Sequence, residues 1–521
     1  MKPPWINLCE SNSSQAIQAN ICIIGAGAAG LYLASELAKH SLDVVIIEAG
    51  PISALSTSKI GFDPIFELDD YPAATLGRYF GLGGSTTRWG GALIPHSFHD
   101  LRIGCNWEAV WSHVVDVIRS NASDVLLNLG YKNELDFDSY AASKIPDAAK
   151  ELKRHGIDIQ ASLLMPFGRK NFLGLLSTLS PSLSPRIFYN AVVNKWVSRV
   201  GVSSDSSISR LHAVSLNGNE VVVSANKFII SAGAIESARI LLEINESSGC
   251  RILPQNTSVG CFLADHLSMP IADVAESDRV KASTLFAPRF EGGWMRGFRF
   301  LEKAPSDYSP RSFAHFIFDN KNTGFHVAKD LLGALQGRRA PKTSLKELIS
   351  GFGDMSSLAY HRFSDSQLFI NRSCPVRLQL DIEQSSVKWN SVALSKDFDD
   401  YGRRIASICW SVSEDDLSIF YKQSSILLNL WSASSESLPK LVPIKFDGPL
   451  SKPYDAYHPV GTCRMGYDPD SVVDINLKVR SIANLWCVST GVLPSAGTAN
   501  PTFTLLCLTQ AFASKLVHDC Q

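Results

Sequence analysis

Near its C-terminus the chain reads His458-Pro459-Val460-Gly461-Thr462-Cys463-Arg464-Met465-Gly466, and somewhat later Thr498-Ala499-Asn500-Pro501-Thr502. Imidazole is the side chain whose unperturbed charge changes nearest pH 7, so a neutral histidine can accept a proton from a reacting group. A carboxamide can hold an oxygen on which charge develops, without itself being a base. A lone histidine is more often a satisfied core residue than a base. The Gly-rich turn around His458 and the downstream Asn500-Pro501 tilt the reading toward chemistry. Pro501 suits the first position of a helix, so Asn500 can also serve as its N-cap. Cys463 reads as a small packed residue, since no base adjoins it in sequence, although Arg464 beside it could lower its pKa.

The elements that must position this pair begin far upstream. Ile21 to Ile24 is a short apolar run suited to a buried parallel strand. Gly25, Gly27 and Gly30 then give the G-x-G-x-x-G spacing: a tight turn, close approach of a pyrophosphate, and close helix–strand packing. Leu31 to Lys39 has helical periodicity, and free N–H groups at its start can meet a diphosphate. Val44 to Ile47 is a second buried strand, and Glu48 at its end can accept from a ribose hydroxyl. An acid there favours FAD or NAD over NADP, without separating the first two.

Residues 75–95 form a second Gly-rich stretch, too rich in glycine for a regular helix or strand. Leu82, Trp89 and Leu93 would be wasted in a solvated linker, so a loop closing over a flat cofactor is expected. Residues 186–230 alternate polar and apolar, with a hairpin turn at Leu216-Asn217-Gly218-Asn219. Phe228 to Ala234 repeats the pattern of buried strand and small residues, followed by a helix through Glu236 to Glu243. Between 270 and 445, strands are expected at Trp294–Phe300, Ser312–Phe318, Val376–Gln384 and Ser407–Val412, and a helix at Asp415–Trp431. The basic run Gly337-Arg338-Arg339-Ala340-Pro341-Lys342 reads as a solvated turn.

A chain of 521 residues exceeds one compact core, so two domains are expected. Forty-nine Lys and Arg against 50 Asp and Glu leave a net charge of −1, which gives no field to steer nucleic acid or anionic membrane. Eleven cysteines without C-x-x-C pairs suit free thiols in a reducing compartment and give no zinc or iron–sulfur spacing. Met1 to Ala19 is polar, reads as a loosely ordered leader, and has no signal-peptide pattern. No apolar stretch reaches spanning length. These features lead to an expected cytoplasmic protein with no metal, no nucleic acid and no membrane span.

With these segments in view, the chain resembles the glucose-methanol-choline (GMC) family of FAD-dependent oxidoreductases over nearly its whole length. The resemblance rests on the Gly25–Glu48 unit, the Gly83-Gly84-Ser85 loop and Ser231-Ala232-Gly233-Ala234-Ile235-Glu236-Ser237-Ala238. It continues through Val259-Gly260 to Asp265-His266, Asp474 to Val479, and the two C-terminal motifs. It implies an α/β fold with a Rossmann-type doubly wound parallel sheet for FAD, formed by residues 1–104, 186–270 and 446–521. A discontinuous α+β substrate-binding domain of residues 105–185 and 271–445, on a mixed or antiparallel sheet, completes it.

The resemblance implies FAD rather than NAD, contacted by Gly25, Gly27, Ala28, Gly30, Glu48 and Ala49. From the Gly-rich loop come Arg78, Gly83, Gly84, Ser85, Trp89, Gly90, Gly91 and Ala92. Val193, Ala232, Gly233, Ser489, Thr490, Pro501 and Thr502 complete the cofactor set. It implies that His458 faces the flavin and takes the proton of an alcohol while hydride passes to flavin N5, and that Asn500 bonds the substrate oxygen. His266, in the family's Asp-His pair, is expected to be structural.

Two departures stand out. Val488-Ser489-Thr490 occupies a place where family members often carry an aspartate. The Ser85-Thr86-Thr87-Arg88-Trp89 loop resembles that of pyranose oxidases and related sugar dehydrogenases, in some of which a histidine before the tryptophan bonds covalently to flavin. Arg88 stands there, so FAD is expected to be non-covalent. The implied reaction is oxidation of a hydroxyl on a sugar, glycoside or polyol-like metabolite to a carbonyl, with oxygen, a quinone or a protein as electron acceptor. Two alternatives remain open: a flavin-containing lyase or isomerase using His458 for acid–base chemistry, and the catalytic subunit of an electron-transfer dehydrogenase complex.

Overall fold

The computed structural model describes residues 4–11, 14–101, 107–133, 136–201, 206–303, 311–319, 324–336, 341–434, 437–446 and 452–519. A boundary between residues 104 and 105, and the Gly337–Ala340 part of the basic run, lie outside the described residues; Pro341 and Lys342 are exposed.

Two sheets organise the chain into a mixed α/β fold. In the first, the order across the sheet is Trp5–Asn7, Arg186–Tyr189, Val44–Ile47, Gln15–Ile24, Glu220–Ile230, Ser207–Val214 and Val192–Arg199, with Leu485–Cys487 beside Glu220–Ile230. Its nucleotide-binding part is parallel, with Ile21 to Ile24 registered against Val44 to Ile47 on one side and Lys227 to Ile230 on the other. These strands are buried apolar runs, as central parallel strands must be. The last three strands in chain order before residue 231 form an antiparallel meander. Helix Ala28–Lys39 is buried from Ala29 to Ala38, so it packs as a fully enclosed crossover.

The leader is a correction to the sequence reading. Trp5–Asn7 extends the sheet by pairing parallel with Ile187 to Tyr189, and the strand expected from Ile21 already begins at Gln15. Alternation conceals it: Ala16, Gln18 and Asn20 face solvent while Ile17 and Ala19 turn inward.

The second sheet is antiparallel, in the order Leu441–Pro443, His266–Val274, Val376–Glu383, Ser312–Phe318, Trp294–Glu302, Ile157–Leu164 and Ala92–Leu93. Tyr454–Asp455 pairs with Leu267 and Ser268. The strand expected at Ser407–Val412 runs Arg404–Cys409 instead, because Trp410 leaves it to stack on Tyr71 at 4.7 Å between ring centroids. One continuous hydrophobic core joins both sheets. Among the described residues, no helix is long and apolar enough to cross a membrane.

Candidate active site

A cleft of about 550 Å³ runs from the end of the Val44–Ile47 strand to His458 and Asn500. Three helices point their N-termini at it, beginning at Ala28, Gly233 and Pro501, and none has a side chain capping its first N–H groups. Uncapped N–H groups and the helix dipole favour anionic oxygens there. Gly27, Gly90 and Gly233 line the cleft, and a Cβ built on any of them would meet nothing within 4 Å. Bare backbone over open space is what close passage of a dinucleotide requires. The other two fingerprint glycines have different tasks. Gly25 takes the turn at φ +103°, and a Cβ on Gly30 would lie 2.0 Å from the Gly25 carbonyl oxygen, so Gly30 permits helix–strand contact.

Glu48 accepts the N–H of Ala26 at 2.7 Å and that of Gly50 at 2.9 Å. Burial raises its carboxyl to about 7, against the pull of these N–H groups. Trp89 is packed as expected, its indole N–H on the Lys170 carbonyl at 2.9 Å and its ring edge-on to Phe172. Arg88 lies 5.7 Å from the Tyr79 ring centroid and lines the cleft.

The wall also holds a buried ion network that the sequence reading missed apart from Arg78. Arg403 bonds Glu236 at 2.6 Å and Glu243 at 2.9 Å, and Arg78 bonds Glu236 at 3.0 Å. Burial would raise the Glu236 carboxyl, but Arg403, Arg239 and Arg78 prevail and hold it at about 2. Arg403 sits in the sequence region expected to serve the other sheet, so no local pattern marks it.

At the far end, the His458 imidazole is tied on both nitrogens. Its Nε2 lies 2.8 Å from Asn500 Nδ2, and its Nδ1 lies 3.1 Å from Nδ1 of His266. Asn500 occupies the N-cap position, but its side chain accepts nothing from the helix. Asp265 clamps the backbone of both histidines. Its carboxylate accepts the N–H of His266 at 2.7 Å, that of His458 at 2.9 and 3.0 Å, and the hydroxyl of Tyr71 at 2.6 Å. Burial first, then His266, pushes the His458 imidazole down to about 3, with the Asp381 carboxylate opposing. His458 is therefore neutral at ordinary pH and able to accept a proton.

Asp265, His266 and His458 bring ligand-type atoms within 4.8 Å of one another. Four hydrogen bonds already engage the carboxylate, and both His266 nitrogens are engaged, so the cluster reads as a hydrogen-bonded support. Cys463 is buried away from the cleft, its thiol pushed well up by the Cys487 thiol and by burial, while Arg464 pairs with Asp470 at 3.0 Å. It is a packed residue.

The structure brings together along the cleft every sequence-predicted residue except Gly30 and Gly83. Gly83 packs at φ +103° against Asn171, whose Oδ1 a Cβ would meet at 2.2 Å.

Residues 386–509 match the family model described as GMC oxidoreductase, and residues 23–79 match a NAD(P)-binding Rossmann-like domain. The resemblance to GMC oxidoreductases read from the sequence is shown by these matches. The cofactor of the family's Rossmann unit is FAD, and the bare glycines and open helix N-termini fit such a group. A segment of 52 residues is 52% identical to an alcohol dehydrogenase [acceptor] of Pseudomonas putida, and one of 45 residues is 56% identical to a pyridoxine 4-oxidase of Microbacterium luteolum. Each match spans 9% of this chain and 9% of the relative. Over 96% of the chain the fold resembles the crystal structure of pyridoxine 4-oxidase from Mesorbium loti, at TM-score 0.57 and 16% identity, covering 99% of that structure. A formate oxidase structure from Aspergillus oryzae gives the same score and identity over 98% of this chain and 99% of that one. These likenesses show that the chain shares the fold of those two enzymes.

Proposed function

We propose that the chain oxidises a hydroxyl-bearing carbon to a carbonyl, with His458 as base and Asn500 as oxygen clamp. The observation that carries this is the 2.8 Å contact between His458 Nε2 and Asn500 Nδ2 at one end of the dinucleotide cleft. FAD, when bound, supplies the two-electron acceptor for the hydride leaving that carbon. A substrate hydroxyl takes the place of the Asn500 donor at Nε2 and gives up its proton there. The amide N–H, released from Nε2, donates to the oxygen as charge builds on it. Glu48 lines the cleft as the carboxyl placed to meet a ribose hydroxyl, and the uncapped helix starting at Ala28 meets the diphosphate. The first sheet thereby holds the cofactor, and the antiparallel sheet walls the substrate side.

A sugar, glycoside or polyol-like substrate is favoured by Ser85, Thr86, Arg88 and Trp89, which line the cleft and belong to the loop that resembles that of pyranose oxidases and sugar dehydrogenases. The described cysteines are all free thiols, in keeping with a reducing, cytoplasmic setting. The test is anaerobic bleaching of the flavin absorbance by a panel of sugars, polyols and simple alcohols, followed by reoxidation with oxygen or a quinone. Bleaching by a hydroxyl compound is expected, and its absence across the panel refutes the reading.

A further inference from the structure

We infer that His266 is a positioning residue that sets the tautomer of His458 and so leaves the lone pair on the nitrogen facing Asn500. This rests on the reading of His458 as base. The chain of contacts starts at a group that can only accept. His266 Nε2 lies 3.0 Å from the Gly497 carbonyl oxygen, so that nitrogen must carry the hydrogen. The carbonyl is itself pinned: the Gly497 N–H donates to Glu383 Oε1 at 3.0 Å, and the Thr498 N–H to Asp100 Oδ1 at 2.6 Å.

A neutral imidazole with hydrogen on Nε2 has a bare Nδ1. His266 is fully buried, and burial disfavours its charged form. Its bare Nδ1 lies 3.1 Å from His458 Nδ1, and two bare nitrogens cannot bond, so His458 must donate. Neutral His458 then carries its hydrogen on Nδ1, and Nε2 is the basic nitrogen. The far end agrees, since the amide nitrogen of Asn500 stands 2.8 Å from Nε2, as a donor should.

The rings meet at 90° with centroids 5.3 Å apart, and Asp265 holds both backbones, so neither imidazole can turn away without breaking several bonds. When Nε2 takes the substrate proton, the hydrogen on Nδ1 stays where it is and continues to donate to His266. The relay therefore orients the base before reaction and supports the imidazolium after it, without moving a second proton.

The experiment uses the holoenzyme labelled with ¹⁵N-histidine, with the His458 resonances assigned by their loss in His458→Gln. The wild type is expected to show His458 Nε2 unprotonated and Nδ1 protonated. In His266→Leu the acceptor for Nδ1–H is lost, and flavin reduction by the best substrate of the panel falls on the order of a hundredfold or more. In His266→Asn, Oδ1 stands near the former Nδ1 and accepts the same hydrogen, and the rate recovers to within about tenfold of wild type. A protonated Nε2 in the wild-type protein overturns the inference, even if the leucine variant fails to fold. Equal losses in the leucine and asparagine variants also overturn it, as a merely structural role would predict. If no hydroxyl compound bleaches the wild-type flavin, the oxidation reading fails, while the resonances still decide the tautomer.

Discussion

Replacing Gly27 or Gly30 by alanine adds the same methyl group within one turn of the same helix, yet the two substitutions should fail in opposite ways. A Cβ at Gly30 would stand 2.0 Å from the Gly25 carbonyl oxygen and 3.3 Å from Ser231 Oγ. An ordinary contact needs about 3.4 Å, so helix and strand must separate by about 1.4 Å. The helix is buried from Ala29 to Ala38 and cannot retreat without opening its packing. Overpacking of this kind costs about 1–3 kcal/mol or more, and the better helix propensity of alanine returns about 1 kcal/mol. A net loss of about 2 kcal/mol lowers Tm by roughly 2–4 °C in a chain of this size.

At Gly27 the added Cβ meets nothing within 4 Å, and φ −83° with ψ −161° is open to alanine. Stability without cofactor should shift by no more than about 0.5 kcal/mol. The methyl instead projects into the cleft, and FAD affinity should fall about tenfold or more, which is about 1.4 kcal/mol. Flavin content of the purified proteins, FAD titration by fluorescence and thermal melts at several FAD concentrations separate the cases. A Gly27→Ala protein that binds FAD like wild type, or a Gly30→Ala protein that melts like wild type, would refute the assignment of the two glycines.

Two further outcomes follow from residues on the cleft wall. Because the His458 pKa is lowered, to about 3, the base stays neutral as pH falls through the ordinary histidine range. The pH profile of kcat/KM for flavin bleaching should then show no acid limb near 6.5, and such a limb would count against buried His458 as the base. Arg88 occupies the position before Trp89, and a guanidinium cannot form the covalent link a histidine could. Acid-denatured protein should release all of its flavin to the supernatant, and yellow colour left in the washed pellet would contradict non-covalent binding.

The parts legible in the sequence share a physical origin. Strand, glycine turn, helix and strand from Ile21 to Glu48 are specified by local periodicity and by φ and packing demands within one βαβ unit, and the structure places them as expected. The Gly-rich loop is legible because a buried-type Trp89 among glycines has few other uses. The leader reads as loop in the sequence because an edge strand and the polar start of an inner strand look like loop when nothing shows what they pair with.

The support of the base was beyond any local reading. His266 and His458 are 192 residues apart, and an Asp-His pair in sequence looks the same whether it fills space or orients a catalytic ring. Arg403 and Glu236, 167 residues apart, carry no pattern that announces their pairing. The sequence by itself determined the dinucleotide unit and named the polar pair at the C-terminus. Only the tertiary structure decided which nitrogen of His458 is basic, because that choice passes through the Gly497 carbonyl and His266. The positions of those groups are set by sheet register and long-range packing, which backbone periodicity does not encode.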